Sequence, residues 1–197
     1  DAVERRYGLS VEPEPVEAIE RDMSLPIAGG RDDVAETFRA DLTKHALSGL
    51  PVTATLTVED APGQSGSFVA DFVLPPKPFY DPVAAALIEM RRDLLWSREN
   101  RARVVQVLRA ISWKGDDTFD NPSAYLIVRS AARRLDAARP LEPGLRDEIA
   151  EMLWQAAVRL EESSLDSARE RLEQAQERLS EAIRNGAPPE EIERLMA

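Results

Sequence analysis

The chain has 197 residues with 25 Lys and Arg against 36 Asp and Glu, which gives a formal net charge of −11. This length is enough for one or two domains with a buried core, and 43% hydrophobic against 31% charged residues argues against wholesale disorder. The absence of cysteine excludes disulfides, thiolate nucleophiles, zinc fingers and iron–sulfur ligation. The acidic balance argues against nucleic acid as a partner, because phosphate binding depends on clustered positive charge.

Neither a membrane span nor a signal peptide is predicted in this chain. Its longest aliphatic run, residues 83–88, falls far short of the roughly 20 apolar residues that cross a bilayer. Residues 1–15 are acidic and contain no apolar segment typical of a signal peptide. Because the sequence starts with Asp1 instead of Met, we expect a soluble piece of a longer or processed protein.

Residues 1–78 are predicted to form a small antiparallel β-domain. Apolar residues alternate with threonines over 52–58, and a second alternation over 68–74 follows a turn-rich segment at 59–66. A period of two is typical of half-buried strands. The two runs therefore predict a β-hairpin with one face against a core.

Two weaker strands are expected upstream of this hairpin, over residues 19–27 and 34–42. Four short strands indicate part of an immunoglobulin-like sandwich, incomplete at its N-terminus, or a short sheet packed on the elements that follow.

Residues 79–197 are predicted to form an α-helical domain of five to six helices. After the prolines at 75–78, apolar residues recur every three to four positions. Asp81 and Asn121 each precede a proline, a pattern typical of an N-cap followed by the first helical residue. Ser97 is predicted to cap another helix.

The end of the chain is predicted to be an antiparallel helical hairpin, which completes an α+β fold. A fourth helix is expected over 149–160 and a fifth over 165–182, where Leu and Ala alternate with heptad spacing. Ser163 and Ser164 are predicted to form the connection between them.

No catalytic, cofactor-binding or metal-ligating residue is predicted, and no small-molecule ligand is expected. His45 has no partner at motif spacing, so a surface histidine is favoured over a catalytic base. Asp116, Asp117 and Asp120 lack the ligand spacing of a calcium loop, which favours a polar connector. The three tryptophans are interpreted as packing residues.

Charge is unevenly distributed along the chain. Residues 1–80 and residues 141–197 each hold 7 basic and 14 acidic residues, whereas residues 81–140 hold 11 basic and 8 acidic. Because guanidinium groups bind carboxylates in a bidentate manner, the positive centre predicts a docking surface for a protein partner or a second copy. Its proposed members are Arg91, Arg92, Arg129, Arg133 and Arg134. Pairing of the arginines with the acidic flanks, inside the chain or between copies of it, is the favoured alternative, because pairing inside the chain needs no external partner.

Several short segments carry a resemblance to a known family. They are Leu50-Pro51-Val52-Thr53, Gly63-Gln64-Ser65-Gly66, Asp81-Pro82, Tyr125-Leu126 and Glu151-Met152-Leu153-Trp154. In these segments the chain resembles the long alphaproteobacterial proteins called domain of unknown function 4175. The resemblance implies membrane helices near the N-terminus of the full protein, followed by a long region outside the cytoplasm, and it implies no catalytic residue.

The expected function is therefore a non-enzymatic structural or interaction module. We expect it in the periplasmic part of an inner-membrane envelope protein, so that the membrane is reached through the parent protein and not through this piece. An envelope enzyme acting on glycan or peptide and a cytoplasmic helical adaptor are the alternatives. A hydrophobic span at the N-terminus of the parent protein separates the envelope and cytoplasmic placements.

Overall fold

The computed structural model describes residues 7–16, 18–22, 37, 39–59, 63–185 and 188–196. Two strands precede the α-helices in chain order. The bounds of the strands and helices are β1 (Pro51–Glu59), β2 (Ser65–Val73), α1 (Pro82–Trp96), α2 (Arg101–Ile111), α3 (Gly115–Thr118), α4 (Pro122–Ala137), α5 (Pro143–Arg184) and α6 (Pro189–Met196). The chain is thus α+β, as predicted, with four long helices (α1, α2, α4 and α5), so the predicted count of five to six helices is not confirmed.

The predicted β-hairpin is confirmed as a two-stranded antiparallel sheet. Its register pairs Pro51 with Val73 and Glu59 with Ser65. Described residues within the two weaker predicted strands, 19–22, 37 and 39–42, are not in strands, and the rest of those predictions lies outside the described residues. The short sheet is therefore observed, whereas an immunoglobulin-like sandwich is not confirmed.

The predicted N-caps of two helices are confirmed. The Asp81 carboxylate accepts a hydrogen bond from the backbone N–H of Ala84 at the start of α1. The Asn121 side chain accepts from Ser123 and Ala124 at the start of α4. Each cap satisfies N–H groups that have no partner within the helix.

The core lies between the helices. Helices α1 and α4 pack on the first half of α5, and α2 packs against α1 and α4. Its largest wholly enclosed apolar side chains come from these helices: Leu87, Leu94, Val104, Leu108, Val128, Leu135, Ile149 and Leu153. The buried positions of α5 end at Glu161, so the core occupies only the first half of that helix.

The predicted helical hairpin at the end of the chain is wrong, because α5 is a single helix of 42 residues. Ser163 and Ser164 lie inside it and do not interrupt it. Serine lowers helix propensity only modestly, whereas a sharp reversal needs glycine or proline chemistry that this segment lacks. The strong helix formers on both sides therefore outweigh the small cost of the serines, and the helix continues.

An N-terminal strap, residues 7–16, crosses the end of α1. The Trp96 indole N–H donates to the Val11 carbonyl at 2.8 Å, and the Glu14 backbone N–H donates to the Trp96 carbonyl at 2.8 Å. The Glu14 carboxylate accepts from Arg98 and lies 3.1 Å from an Arg146 nitrogen. The strap thus joins the end of α1 to the start of α5.

Candidate interaction surfaces

The β-hairpin has one face made only of apolar residues and glycine. Alternation along the strands and the observed register place them together: Val52, Ala54, Leu56, Val58, Gly66, Phe68, Ala70 and Phe72. The opposite face is mostly polar and holds a hydrogen bond from the Thr53 hydroxyl to the Asp71 carboxylate at 2.6 Å. The hairpin is therefore strongly amphipathic.

This apolar face is exposed. Phe68 is 66% exposed, Leu56 and Val58 are each 51% exposed, and Phe72 is 45% exposed. The prediction that these strands are half-buried is wrong, because no helix or second sheet within the described ranges covers them. An exposed apolar patch on a folded protein is characteristic of an interaction site.

The base of the hairpin is held in place although its face is free. Leu50 and Leu74 are buried, and the Leu74 backbone N–H donates to the Leu50 carbonyl at 3.0 Å. Gly49 donates to the Leu74 carbonyl at 2.8 Å and adopts a positive φ of 80°. That conformation favours glycine, because a side chain is strained there. The apolar face is thus presented on an anchored base.

The second half of α5 forms another exposed apolar surface. Leu165, Ala168, Leu172 and Ala175 recur with spacings of three and four and are all exposed. We call these four residues the Leu/Ala seam. Because the buried positions of α5 end at Glu161, the seam extends beyond the part of the helix that packs on α1 and α4.

The five arginines predicted as a docking surface do not form one cluster. Arg91 lies over the Trp154 ring, 5.3 Å from its centroid, and Arg134 contacts Glu148 and Met152. Positions 152 and 154 are separated by about 200° around an α-helix. The arginines of α1 and of α4 therefore lie on opposite sides of α5.

Arg91 and Arg92 are largely enclosed. Arg91 is buried and donates to the Lys44 carbonyl at 2.6 Å, and Arg92 lies 3.6 Å from the buried Asp93 carboxylate. On α4, Arg129 donates to the Tyr125 hydroxyl, and Arg133 and Arg134 are also exposed. Of the five arginines predicted as a docking surface, the three on α4 are therefore the exposed ones.

Ion pairs within the chain are observed at many positions of the central segment, some with the acidic flanks and some with acids of the segment itself. Arg98 binds Glu14, Arg103 binds Asp93, Arg109 binds Asp136 and Arg134 binds Glu148. A groove of about 220 Å³ between α2 and the end of α4 is lined in part by Arg101, Arg109 and Arg139. The guanidinium groups of these arginines already bind the Asp136 carboxylate or main-chain carbonyls.

A buried polar network joins α1, α2 and the strap. The Asp93 carboxylate is fully enclosed and is bound by Arg103, and Asn100 donates to the carbonyls of Gly8 and Asp93. Burial raises the pKa of Asp93, and the charges of Arg92 and Arg103 partly oppose this rise. The partners of Asp93 come from within the chain, which is typical of a structural network.

Cations surround Trp154 near the base of the hairpin. Lys44 and Lys77 lie 5.8 and 6.0 Å from the Trp154 ring centroid, which Arg91 also approaches, and the Phe79 ring meets it edge-on. Lys44 binds the Glu151 carboxylate. This cluster was not apparent from the sequence, because its members come from four separate segments that only the fold brings together.

The remaining candidates from the sequence are His45, the aspartates near residue 116 and Trp113. His45 is half-buried, accepts a hydrogen bond from the Leu47 N–H, and has its pKa lowered by burial and by Arg91. Asp116 and Asp117 belong to α3, and their side chains are outside the described structure. Among the side chains that are described, no three histidine or carboxylate groups come together as metal ligands. Trp113 is 83% exposed, so the prediction that it packs in the core is wrong.

These features define an α+β protein in which a helical bundle carries an anchored but uncovered β-hairpin and a long exposed helix. The family described as domain of unknown function (DUF4175) matches residues 1–197, and the chain belongs to that family. The resemblance to this family is thereby confirmed. No curated protein and no solved structure matches the chain. Among the described helices, none has both the length and the apolar character to cross a membrane.

Proposed function

We propose that this domain is a non-enzymatic interaction module in the extracytoplasmic part of a membrane-anchored envelope protein. The observation that carries the proposal is the apolar face of the β-hairpin, whose Leu56, Val58 and Phe68 side chains are more than half exposed. Burial of the exposed parts of these side chains by a partner contributes on the order of 1 kcal/mol each. The anchored base at Leu50 and Leu74 lowers the entropy lost on binding.

The hairpin also has main-chain groups for a partner. Each of its two strands has one edge with no neighbouring strand in the described structure. Such edges add further strands readily, and an isolated two-stranded hairpin is at best marginally stable. A partner that covers the apolar face therefore supplies the packing layer that this small sheet lacks.

The envelope placement rests on the resemblance, which implies membrane helices in the parent protein and a long region outside the cytoplasm. The chain has no cysteine, so Ser67→Cys on the exposed polar face introduces a single thiol into it. In the full-length protein, a membrane-impermeant maleimide is expected to label this variant, beyond the level of the wild type, in cells with a permeabilised outer membrane. Labelling only after lysis would place the domain in the cytoplasm.

Docking is tested by photo-crosslinking in the same full-length protein. A benzophenone amino acid replaces Phe68 on the apolar face or Ser67 on the polar face. The two positions are adjacent in β2 and both exposed, which makes Ser67 a matched control. We expect discrete adducts from position 68 and a much weaker yield from position 67. Equal yields, or no adduct from position 68, would contradict docking through this face.

A further inference from the structure

The Leu/Ala seam on the second half of α5 lies in a strip of one charge sign. With the leucines at heptad position a and the alanines at d, Arg169 falls at e, and Arg171 and Arg178 fall at g. Acidic side chains occupy the outer positions b, c and f: Asp166, Glu170, Glu173, Glu177 and Glu181. The seam is thus flanked by arginine, while the acids occupy outer positions, one of which, Asp166, lies 3.3 Å from Arg169.

The continuation of the seam toward the end of α5 is less exposed. Helix α6 packs on α5, and its Ile192 and Leu195 are half-buried. Leu179 and Ala182, which continue the heptad, are also half-buried, whereas Leu172 is 58% exposed. The α6 sequence holds three glutamates and one arginine. The chain therefore places an acidic amphipathic helix beside the last turns of α5.

We propose that the Leu/Ala seam binds an acidic amphipathic helix of a partner protein, continuing the packing that α6 makes at its end. This inference deepens the proposed docking function and rests on it. Alanine at every second seam position allows a close approach of two helices. Glutamates beside the partner's apolar stripe meet Arg169, Arg171 and Arg178 across the interface.

A second copy of α5 matches this surface poorly. In a parallel pair, a residue at position g faces position e of the next heptad. Arg171 then faces Gln176, and Arg178 faces Ile183, so these positions form no ion pair. In an antiparallel pair g faces g, which brings Arg171 and Arg178 of the two copies together. The charge pattern therefore favours an acidic partner over self-association.

The test uses two fluorescent peptides of about 24 residues with the same Leu/Ala stripe and the same composition. One carries Glu beside the stripe and Lys on its outer face, and the other has these positions exchanged. By fluorescence anisotropy, we expect the whole chain to bind the Glu-flanked peptide at least about tenfold more tightly, with the difference reduced at high salt. Equal affinity, or no binding of either peptide, would overturn the proposal.

A charge-exchange variant provides the control. Combining Arg171→Glu and Arg178→Glu with Glu173→Arg and Glu177→Arg keeps both composition and net charge but moves the acids to the seam. Circular dichroism checks that the helix is retained, and the peptide preference is expected to reverse. An unchanged preference would refute recognition by these arginines.

Sedimentation of the chain alone tests the competing occupant. A dimer that is lost in Leu172→Glu would overturn the acidic-helix proposal in favour of a second copy, whereas a monomer agrees with it. Reversal of the peptide preference in the charge-exchange variant reports on α5, and crosslinking at Phe68 reports on the hairpin. Failure of this inference is therefore distinguishable from failure of the proposed function.

Discussion

Replacing Gly8 by alanine is expected to displace the N-terminal strap. A Cβ atom at position 8 would lie 2.0 Å from atoms of the Asp93 carboxyl group. That carboxylate is fully buried and bound by Arg103, and it sits among packed helices. Because the obstacle is an enclosed carboxylate held by an ion pair, its displacement is costly, and we expect the strap to shift outward.

The cost follows from two contributions. Forcing an extra methyl group into a packed site costs about 1–3 kcal/mol. The shift also weakens the hydrogen bond from Asn100 to the Gly8 carbonyl, 2.7 Å long, which contributes about 1 kcal/mol. We expect a loss of about 2–4 kcal/mol in the free energy of unfolding, and a fall of roughly 4–16 °C in Tm for a domain of this size.

Urea unfolding followed by circular dichroism measures this loss, and tryptophan fluorescence reports on the strap through Trp96, which donates to the Val11 carbonyl. Gly144→Ala is the matched control, because nothing lies within 4 Å of its added Cβ. In the first turn of α5 this change is expected to be neutral or to stabilise by less than about 1 kcal/mol. If Gly8→Ala were as stable as the wild type, with unchanged Trp96 fluorescence, the placement of the strap against Asp93 would be refuted.

Three further predictions concern the core, the strap and the start of α1. Leu153→Ala removes a fully buried side chain and is expected to cost about 2–5 kcal/mol, whereas Leu172→Ala at an exposed position changes stability by less than about 0.5 kcal/mol; urea titration compares them. Burial alone would raise the pKa of Glu14, but hydrogen bonds and charge from Arg98 lower it below its ordinary 4.5. The wild type is therefore expected to be more stable than Glu14→Gln at neutral pH, and this difference is lost as the pH falls below 4.5 through the folded-state pKa. Equal pH dependence of the free energy of unfolding in the two proteins would contradict this. Glu161 accepts from the N–H groups of residues 80 and 81, so Glu161→Ala is expected to cost about 1–3 kcal/mol by thermal unfolding and Glu161→Gln less, because glutamine keeps an acceptor.

Much of the local structure was predictable because its causes are local. Asp81 and Asn121 cap their helices as the adjacent prolines predicted. The alternation over 52–58 and 68–74 predicted both strands and their pairing. Caps, turns and periodicity depend on neighbours within a few residues, so a single sequence is enough to identify them.

The candidate surfaces were less predictable. An apolar stripe indicates that a face is able to be buried, but it does not say whether the same chain buries it. The hairpin was predicted to have one face against a core, and the Leu/Ala helix to pair with the helix before it, yet both surfaces are exposed. The Trp154 cluster gave no sequence signal, since Lys44, Lys77 and Arg91 approach the ring from distant segments.

The class of fold, the hairpin, the starts of α1 and α4 and the uneven distribution of charge depend on composition and short-range periodicity, so they could be predicted from the sequence. The continuation of α5 through Ser163 and Ser164, the burial of Arg91, and the packing of Gly8 against Asp93 follow from the three-dimensional packing. Each depends on which surfaces meet in space. That outcome reflects competition between packing, solvation and helix propensity over the whole chain.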